Sequence, residues 1–318
     1  MTAFKSAAAA ALTGLSLIAA PAASQDWPKG NVELIIPSSP GGGFDTYARI
    51  LADALGKETG AQVVPQNISG GGGLRGAQAA YRARPDGQTL AIFNVPGIIQ
   101  PVVTGESVGY DLDKIDWLGA MAFEQYIVVV AKDSPYATLE DLKAAGETIT
   151  FTGYGSSGLA ANRILCSEVG LDCKIITGYP GNNDALLGVV RGDAVASVTP
   201  ITTATSFNSG GDLKGILLMS DADVAAFPET QGATDAGYPS LASLGLVRAF
   251  GLPPGVETDV RDQIAAAFMG AAGSDAVRSW AEQTDAPLDP LDGEALRTLI
   301  DEQTALLTKY KDIIAAEN

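Results

Sequence analysis

The sequence predicts an α/β protein built on parallel sheets, and three observations carry that reading. Short β-branched runs alternate with Ala/Leu-rich segments of helical length from Trp27 onward. Clusters of Gly, Pro, Asn and Asp punctuate the runs, as the turns between elements require. The chain is 318 residues long and 46% hydrophobic, enough to bury a sizeable core and to support two domains of ordinary size.

Taken in order, a strand is expected over Val32 to Ile36, stopped by Pro37, with a helix over Phe44 to Leu55. A strand over Gln62 to Pro65 precedes a helix over Gly73 to Ala83, and strands follow at Thr89 to Phe93 and Tyr126 to Ala131. A second series repeats the pattern: strand Thr148 to Thr152, helix Leu159 to Val169, strand Lys174 to Thr177, helix Asn183 to Val190 and strand Ala194 to Thr199. A late strand, Leu246 to Leu252, is followed by three helical stretches to the C-terminus.

Residues 1–24 read differently. Met1 to Ser24 carries one charge, Lys5, then an Ala/Leu run to Ala20 and the small residues of Pro21-Ala22-Ala23-Ser24, the pattern of a secretory signal cleaved near Ser24-Gln25. No Cys stands at that site to carry a lipid, and no later apolar run is long enough to span a bilayer. The expected location is the periplasm.

Composition narrows the function classes. The formal charge of −17 repels phosphate backbones and argues against nucleic acid as a partner, and losing Lys5 with the signal leaves the remainder one unit more negative. There is no His, which rules out His-dependent triads and the commonest metal ligand. The two Cys, Cys166 and Cys173, are seven apart; in an exported chain they either pair, stapling a helix end to the next strand, or stay as small buried hydrophobes. Neither a metal nor a cofactor is expected.

The stretch "IIPSSPGGGFD", Ile35 to Asp45, ends a strand in a Gly-rich turn before a helix, a place where backbone N–H groups can approach an anion. Arg49-Ile50-Leu51 and Gly56 recur at the same spacing as Arg163-Ile164-Leu165 and Gly170, each set after a Gly/Ser-rich turn. Two βα units, each offering a helix N-terminus across a cleft, would suit a carboxylate ligand. A rival reading is the dinucleotide fingerprint Gly153-x-Gly155-x-x-Gly158, but the next strand ends in Thr177-Gly178 with no acidic residue for a ribose. Gly-x-x-x-x-Gly-Lys-Ser/Thr does not occur.

The opening "WPKGNVELIIPSSPGGGFDTYARILADALG" resembles the solute-binding proteins of tripartite tricarboxylate transporters, also called Bug proteins. The resemblance continues through "NISGGGGLRGAQAAYRARPDGQTL", "YGSSG", "YPGNNDALLGVVRGD" and "FGLPPGV", covering nearly all of the mature chain in order. It implies a two-lobed periplasmic binding fold of type II kind, each lobe a mainly parallel sheet flanked by helices, with the ligand between them. Residues 25–122 would form the first part of lobe 1, 123–238 lobe 2, and 239–318 the return segment of lobe 1, with crossings near Met121 to Tyr126 and Tyr238 to Leu246.

The same resemblance places the ligand at Ser38, Ser39, Gly42, Gly43, Phe44 and Asp45 in the first loop and at Ser156, Ser157 and Gly158 in the second, with Gly181 and Asn182 at the next helix start. Asp45 is not a direct partner of an ionised carboxylate; it either accepts from loop N–H groups and fixes the turn, orients a water, or caps the helix. Asn94, at the carboxyl end of the third strand, either faces the ligand or forms a turn. Members usually have an aromatic residue where this chain has Ser38-Ser39, and an aliphatic one at Arg75. Arg75 is then either a partner for a second carboxylate or a solvated helix arginine.

Two function classes remain. The first is an exported binder of a di- or tricarboxylate, such as malate, succinate or citrate, acting as a monomer that delivers its ligand to the large and small integral membrane subunits; an aromatic or other monocarboxylate is the alternative ligand. The second is an exported enzyme of the same fold class acting on a carboxylate. The absence of His and of any nominated titrating group favours the binder, which performs no chemistry.

Overall fold

The computed structural model describes residues 27–284 and 286–315, so the expected signal segment and its cleavage site lie outside the described residues. The elements run β1 (Val32–Ile36), α1 (Gly43–Thr59), β2 (Val63–Asn67), α2 (Leu74–Tyr81), β3 (Thr89–Val95), α3 (Gln100–Val103) and β4 (Asp116–Ala131). They continue with α4 (Leu139–Ala144), β5 (Ile149–Thr152), α5 (Gly155–Val169), β6 (Cys173–Ile176), α6 (Asn182–Arg191), β7 (Ala196–Pro200), α7 (Ile201–Phe207) and β8 (Leu213–Met219). The return is α8 (Pro239–Ala242), β9 (Gly245–Leu252), α9 (Thr258–Ala272), α10 (Asp275–Thr284), β10 (Leu291–Asp292), α11 (Gly293–Lys309) and α12 (Lys311–Ala315).

The strand order is β2-β1-β3-β9-β4-β7-β5-β6, with β8 and β10 also on β4. β1, β2 and β3 pair in parallel, as do β5, β6 and β7, which is the α/β pattern the alternation predicts. β9 and β4 join antiparallel to these triplets. β4 belongs to both sheets: Asp116 to Gln125 pair with β9, and Tyr126 to Ala131 pair with β7 and β8.

The parallel strands bury both faces. On β1, Leu34 and Ile36 pack under α1 and α9 with Leu51, Leu55, Ile264 and Phe268, while Ile35 faces the opposite cluster around Phe93 and Ile98. α1 puts Tyr47, Ala48, Leu51, Ala52 and Leu55 on one buried stripe, the 3.6-residue period of an amphipathic helix. Its C-terminus is closed by Gly60 at φ 73, whereas α5 stops one helical turn sooner in register, at Gly170 with φ 72; Gly56 and Gly170 therefore do not play matching parts. Cys166 and Cys173 form a disulfide, joining the last turn of α5 to the first residue of β6.

The sequence reading places β4 at Tyr126 to Ala131, and the strand begins ten residues earlier. Its first half, "DWLGAMAFEQ", has no β-branched residue, and it is a strand because β9 and β10 flank it, a case of tertiary context overriding local preference. The expected helix at Leu159 starts at Gly155, through the Gly/Ser turn itself.

Candidate functional site

Three loops follow the carboxyl ends of β1, β2 and β5, the place where open α/β sheets bind ligands, and Asn94 near the end of β3 lies among them. The first is Pro37–Gly42. Gly41 takes the left-handed φ of 83 that the turn requires, and Gly42 then caps α1 with extended backbone and no side-chain hydrogen bond, leaving the first helical N–H groups without an intrahelical partner. Asp45 braces this turn. Its carboxylate accepts from the Gly41 N–H at 2.9 Å, from Arg49 Nε at 2.9 Å and from Asn67 Nδ2 at 2.8 Å, and Asn67 Nδ2 also donates to the Ser38 carbonyl at 2.9 Å. The Arg49 bond, aided by those from Gly41 and Asn67 and opposed by burial, lowers the Asp45 pKa to about 2.

The second loop is Gly70–Gly73, four consecutive glycines at φ 126, 59, 65 and 107, a path that L side chains adopt only with strain. It turns the Gly72 carbonyl to accept from Asn94 Nδ2 at 3.0 Å. The third is the turn into α5, capped by Tyr154 without a side-chain bond. Ser157 Oγ donates to Asn94 Oδ1 at 3.2 Å, so Asn94 joins the second and third loops. A Cβ on Gly72 would lie 2.7 Å from Ser156 Oγ, and one on Gly97 3.1 Å from it.

Charge distinguishes the helix starts. α4 and α11 carry side-chain caps from Thr138 and Asp292, whereas α1, α5 and α6 carry none. α1 has Asp45 and α6 has Asp184 in the first turn; α5 has no acidic residue there, and neither has α2, which is likewise without a side-chain cap. α5 therefore presents an undiluted positive dipole end. Ser156 Oγ and Ser38 Oγ are buried without a partner, as are Thr152 Oγ1 and Thr199 Oγ1 near the carboxyl ends of β5 and β7, and Tyr126 OH at the same end of that sheet. Burial pushes the Tyr126 hydroxyl pKa up.

Ser38, Gly42, Gly43, Phe44 and Asp45 thus lie in the first loop and its helix start, Ser39 is exposed at the rim, and Asn94, Ser156 and Ser157 meet opposite. The Gly158 carbonyl accepts from Asn162 Nδ2 at 2.9 Å, inside α5. Gly181 and Asn182 form the half-buried start of α6, with Asp184 beside Gly181. Arg75 is exposed on α2, its Cδ 2.7 Å from where a Gly70 Cβ would sit.

A second cation at the first loop, besides Arg49, is Arg248, on β9 directly opposite Asn94. Its guanidinium carbon lies 4.2 Å from the Phe44 ring centre, and its Nη2 donates to Glu124 Oε2 at 2.8 Å. Glu124 also accepts from the Thr202 hydroxyl. Sequence reasoning missed this pair, although an arginine within the otherwise apolar "GLVRAFGL" and a glutamate within "AMAFEQYIVVV" were available signals. A groove of about 730 Å³ lies elsewhere, beside Asn31, Glu33, Val64, Arg84 and Asp86, and gathers no set of helix-start donors.

Comparisons with known proteins give the family and the fold. The tripartite tricarboxylate transporter family receptor, TctC, matches residues 47–318. Protein BugT of Bordetella pertussis is 26% identical over 241 residues, 71% of this chain and 72% of BugT. MatC (Rpa3494) from Rhodopseudomonas palustris, solved with bound malate, superimposes at a TM-score of 0.75 with 21% identity, covering 91% of this chain and 100% of MatC. R. palustris Rpa4515, solved with adipate, gives 0.75 and 19%, covering 91% and 98%. At these identities the solved structures establish the fold.

Proposed function

The chain belongs to the tripartite tricarboxylate transporter family of receptors, and from that premise we propose that it is an exported solute-binding protein that captures a small di- or tricarboxylate and delivers it to the membrane subunits of such a transporter. The observation that carries this reading is the start of α5: uncapped, free of first-turn acid, with the unpartnered Ser156 hydroxyl buried against Gly72 and Gly97. Orphan N–H groups at a helix start and a hydroxyl donor beside them suit a carboxylate.

Residues 25–122 and 239–318 make one lobe and 123–238 the other. β4 carries the crossing, and its pairings put the change of partner three residues past 122: Gln125 still pairs with Gly245 and Tyr126 already pairs with Pro200. Ligand between the lobes then shifts the population toward the closed form that docks on the membrane subunits. The polar Ser38-Ser39 pair favours a C4-dicarboxylate or citrate over an aromatic acid, and MatC with malate and Rpa4515 with adipate give the preference support.

A binder is favoured over an enzyme because the titrating groups at the loops are tuned away from neutrality, Asp45 down to about 2 and Tyr126 upward, whereas general acid–base catalysis needs a pKa near the working pH. The test is to purify the exported chain under native conditions, denature it and identify the released small molecules by mass spectrometry. Release of an intact di- or tricarboxylate in near-stoichiometric amount supports the proposal; added acid returned chemically altered would replace the binder with an enzyme.

A further inference from the structure

Asp45, Glu124 and Arg248 are the charged residues buried among the described residues. Side-chain exposure is 8% for Arg248 and 2% for Glu124. A guanidinium has five N–H donors, and burying it is costly unless they are used. Arg248 spends Nη2 on Glu124, while its Nε is buried with no partner. Both oxygens of Glu124 are already engaged, one by Arg248 and one by Thr202, so Glu124 holds the guanidinium from one side and leaves donors unspent.

Those donors sit at the first loop. Nη1, which is not the nitrogen on Glu124, lies 3.5 Å from where a Cβ on Gly43 would be, and Nη2 lies 2.9 Å from it. Gly43 is the first residue of α1 and is not among the glycines with positive φ, so backbone conformation does not demand a glycine; space for the guanidinium does. The Phe44 ring 4.2 Å away and the Tyr47 ring 5.1 Å away fix the plane of the group further. Asn94, cross-strand from Arg248, bonds Ser157 at the start of α5, so the guanidinium and the α5 start stand at the two ends of one short polar track.

We propose that Arg248 is the specificity-determining residue of the cleft: it donates to the second carboxylate of a ligand whose first carboxylate rests on the α5 start, and so selects dicarboxylates over monocarboxylates of equal length. Glu124 is its positioning residue. This rests on the reading that the cleft binds carboxylates, and it names the side chain that counts them.

The test is calorimetric titration of the ligand-stripped protein with matched pairs, succinate against butyrate and adipate against hexanoate, for wild type, Arg248→Gln and the double variant Arg248→Gln/Glu124→Gln. The double variant leaves no unpaired buried charge and covers the case in which Arg248→Gln alone fails to fold. Wild type should prefer each diacid to its monoacid. The variants should lose diacid affinity by about 30-fold or more, the scale of removing one partner of a buried charge-assisted hydrogen bond, while monoacid affinity changes by less than about 3-fold. A wild type that binds acids without preferring diacids, or folded variants that keep the wild-type ratio, would overturn the inference and leave the binder intact. A wild type that binds no carboxylic acid would overturn both.

Discussion

Replacing Asp45 with Asn removes the charge on which the first loop is braced while keeping its shape. In the folded protein the carboxyl pKa falls from an ordinary 3.8 to about 2. A difference of that size corresponds to roughly 2.4 kcal/mol at neutral pH. The depressed folded-state value fixes the sign: this stability is fully present above the unfolded pKa near 4 and is lost as pH falls through about 2. The Asp45 side chain is 5% exposed, so little solvent screening reduces the figure, although Arg49 is 47% exposed and makes about 2 kcal/mol the safer expectation. Urea melts of wild type and Asp45→Asn between pH 7 and pH 2.5 should show a gap of about that size at pH 7, shrinking to about a third of it at pH 2.5. A gap independent of pH, or one below about 0.5 kcal/mol at pH 7, would refute the brace, since a shape defect does not titrate.

Other substitutions probe the remaining contacts. Gly43→Ala should lower ligand affinity by about tenfold or more in calorimetry with little change in Tm, because the new methyl displaces the Arg248 guanidinium while alanine suits a helix better than glycine. Gly72→Ala places a methyl 2.7 Å from Ser156 Oγ at a φ of 65; ligand should then fail to shrink the radius of gyration measured by small-angle scattering as it does for wild type. Replacing both Cys166 and Cys173 with Ser opens a loop of seven-residue separation and should cost about 2–3 kcal/mol in urea melts, a difference that vanishes when wild type is reduced.

The first loop was legible because its chemistry is local. Pro37, Pro40 and three glycines in a row stop β1, free the backbone and open α1, and the bracing part open to Asp45 is played with Gly41, four residues away. The start of α5 was legible for the same reason, although the helix takes in Gly155 to Gly158, which the pattern assigned to the turn. Arg248 was hidden because its partners are distant: Glu124 is 124 residues away, and only the pairing of β9 with β3 and β4 brings the two beside Phe44. The same holds at the C-terminus. Arg163 of α5 donates to the Ile314 carbonyl of α12, and Glu168 accepts from Ser240, Lys309 and Tyr310, contacts that no periodicity encodes. The first half of β4 escaped because its residues are strand-forming only once β9 and β10 lie on either side.

Thermal unfolding of the ligand-stripped mature chain, run against C4 dicarboxylates, citrate, aromatic acids and nucleotides, tests most directly whether the cleft exists to hold a carboxylate. A ligand at a hundred times its dissociation constant stabilises the folded state by about 2.7 kcal/mol, a shift that a melt resolves. The expected result is a clear rise in Tm with one or two related di- or tricarboxylates and none with nucleotides. A rise with a nucleotide and with no acid would mean that the α5 turn, Gly153 to Gly158, serves a phosphate after all.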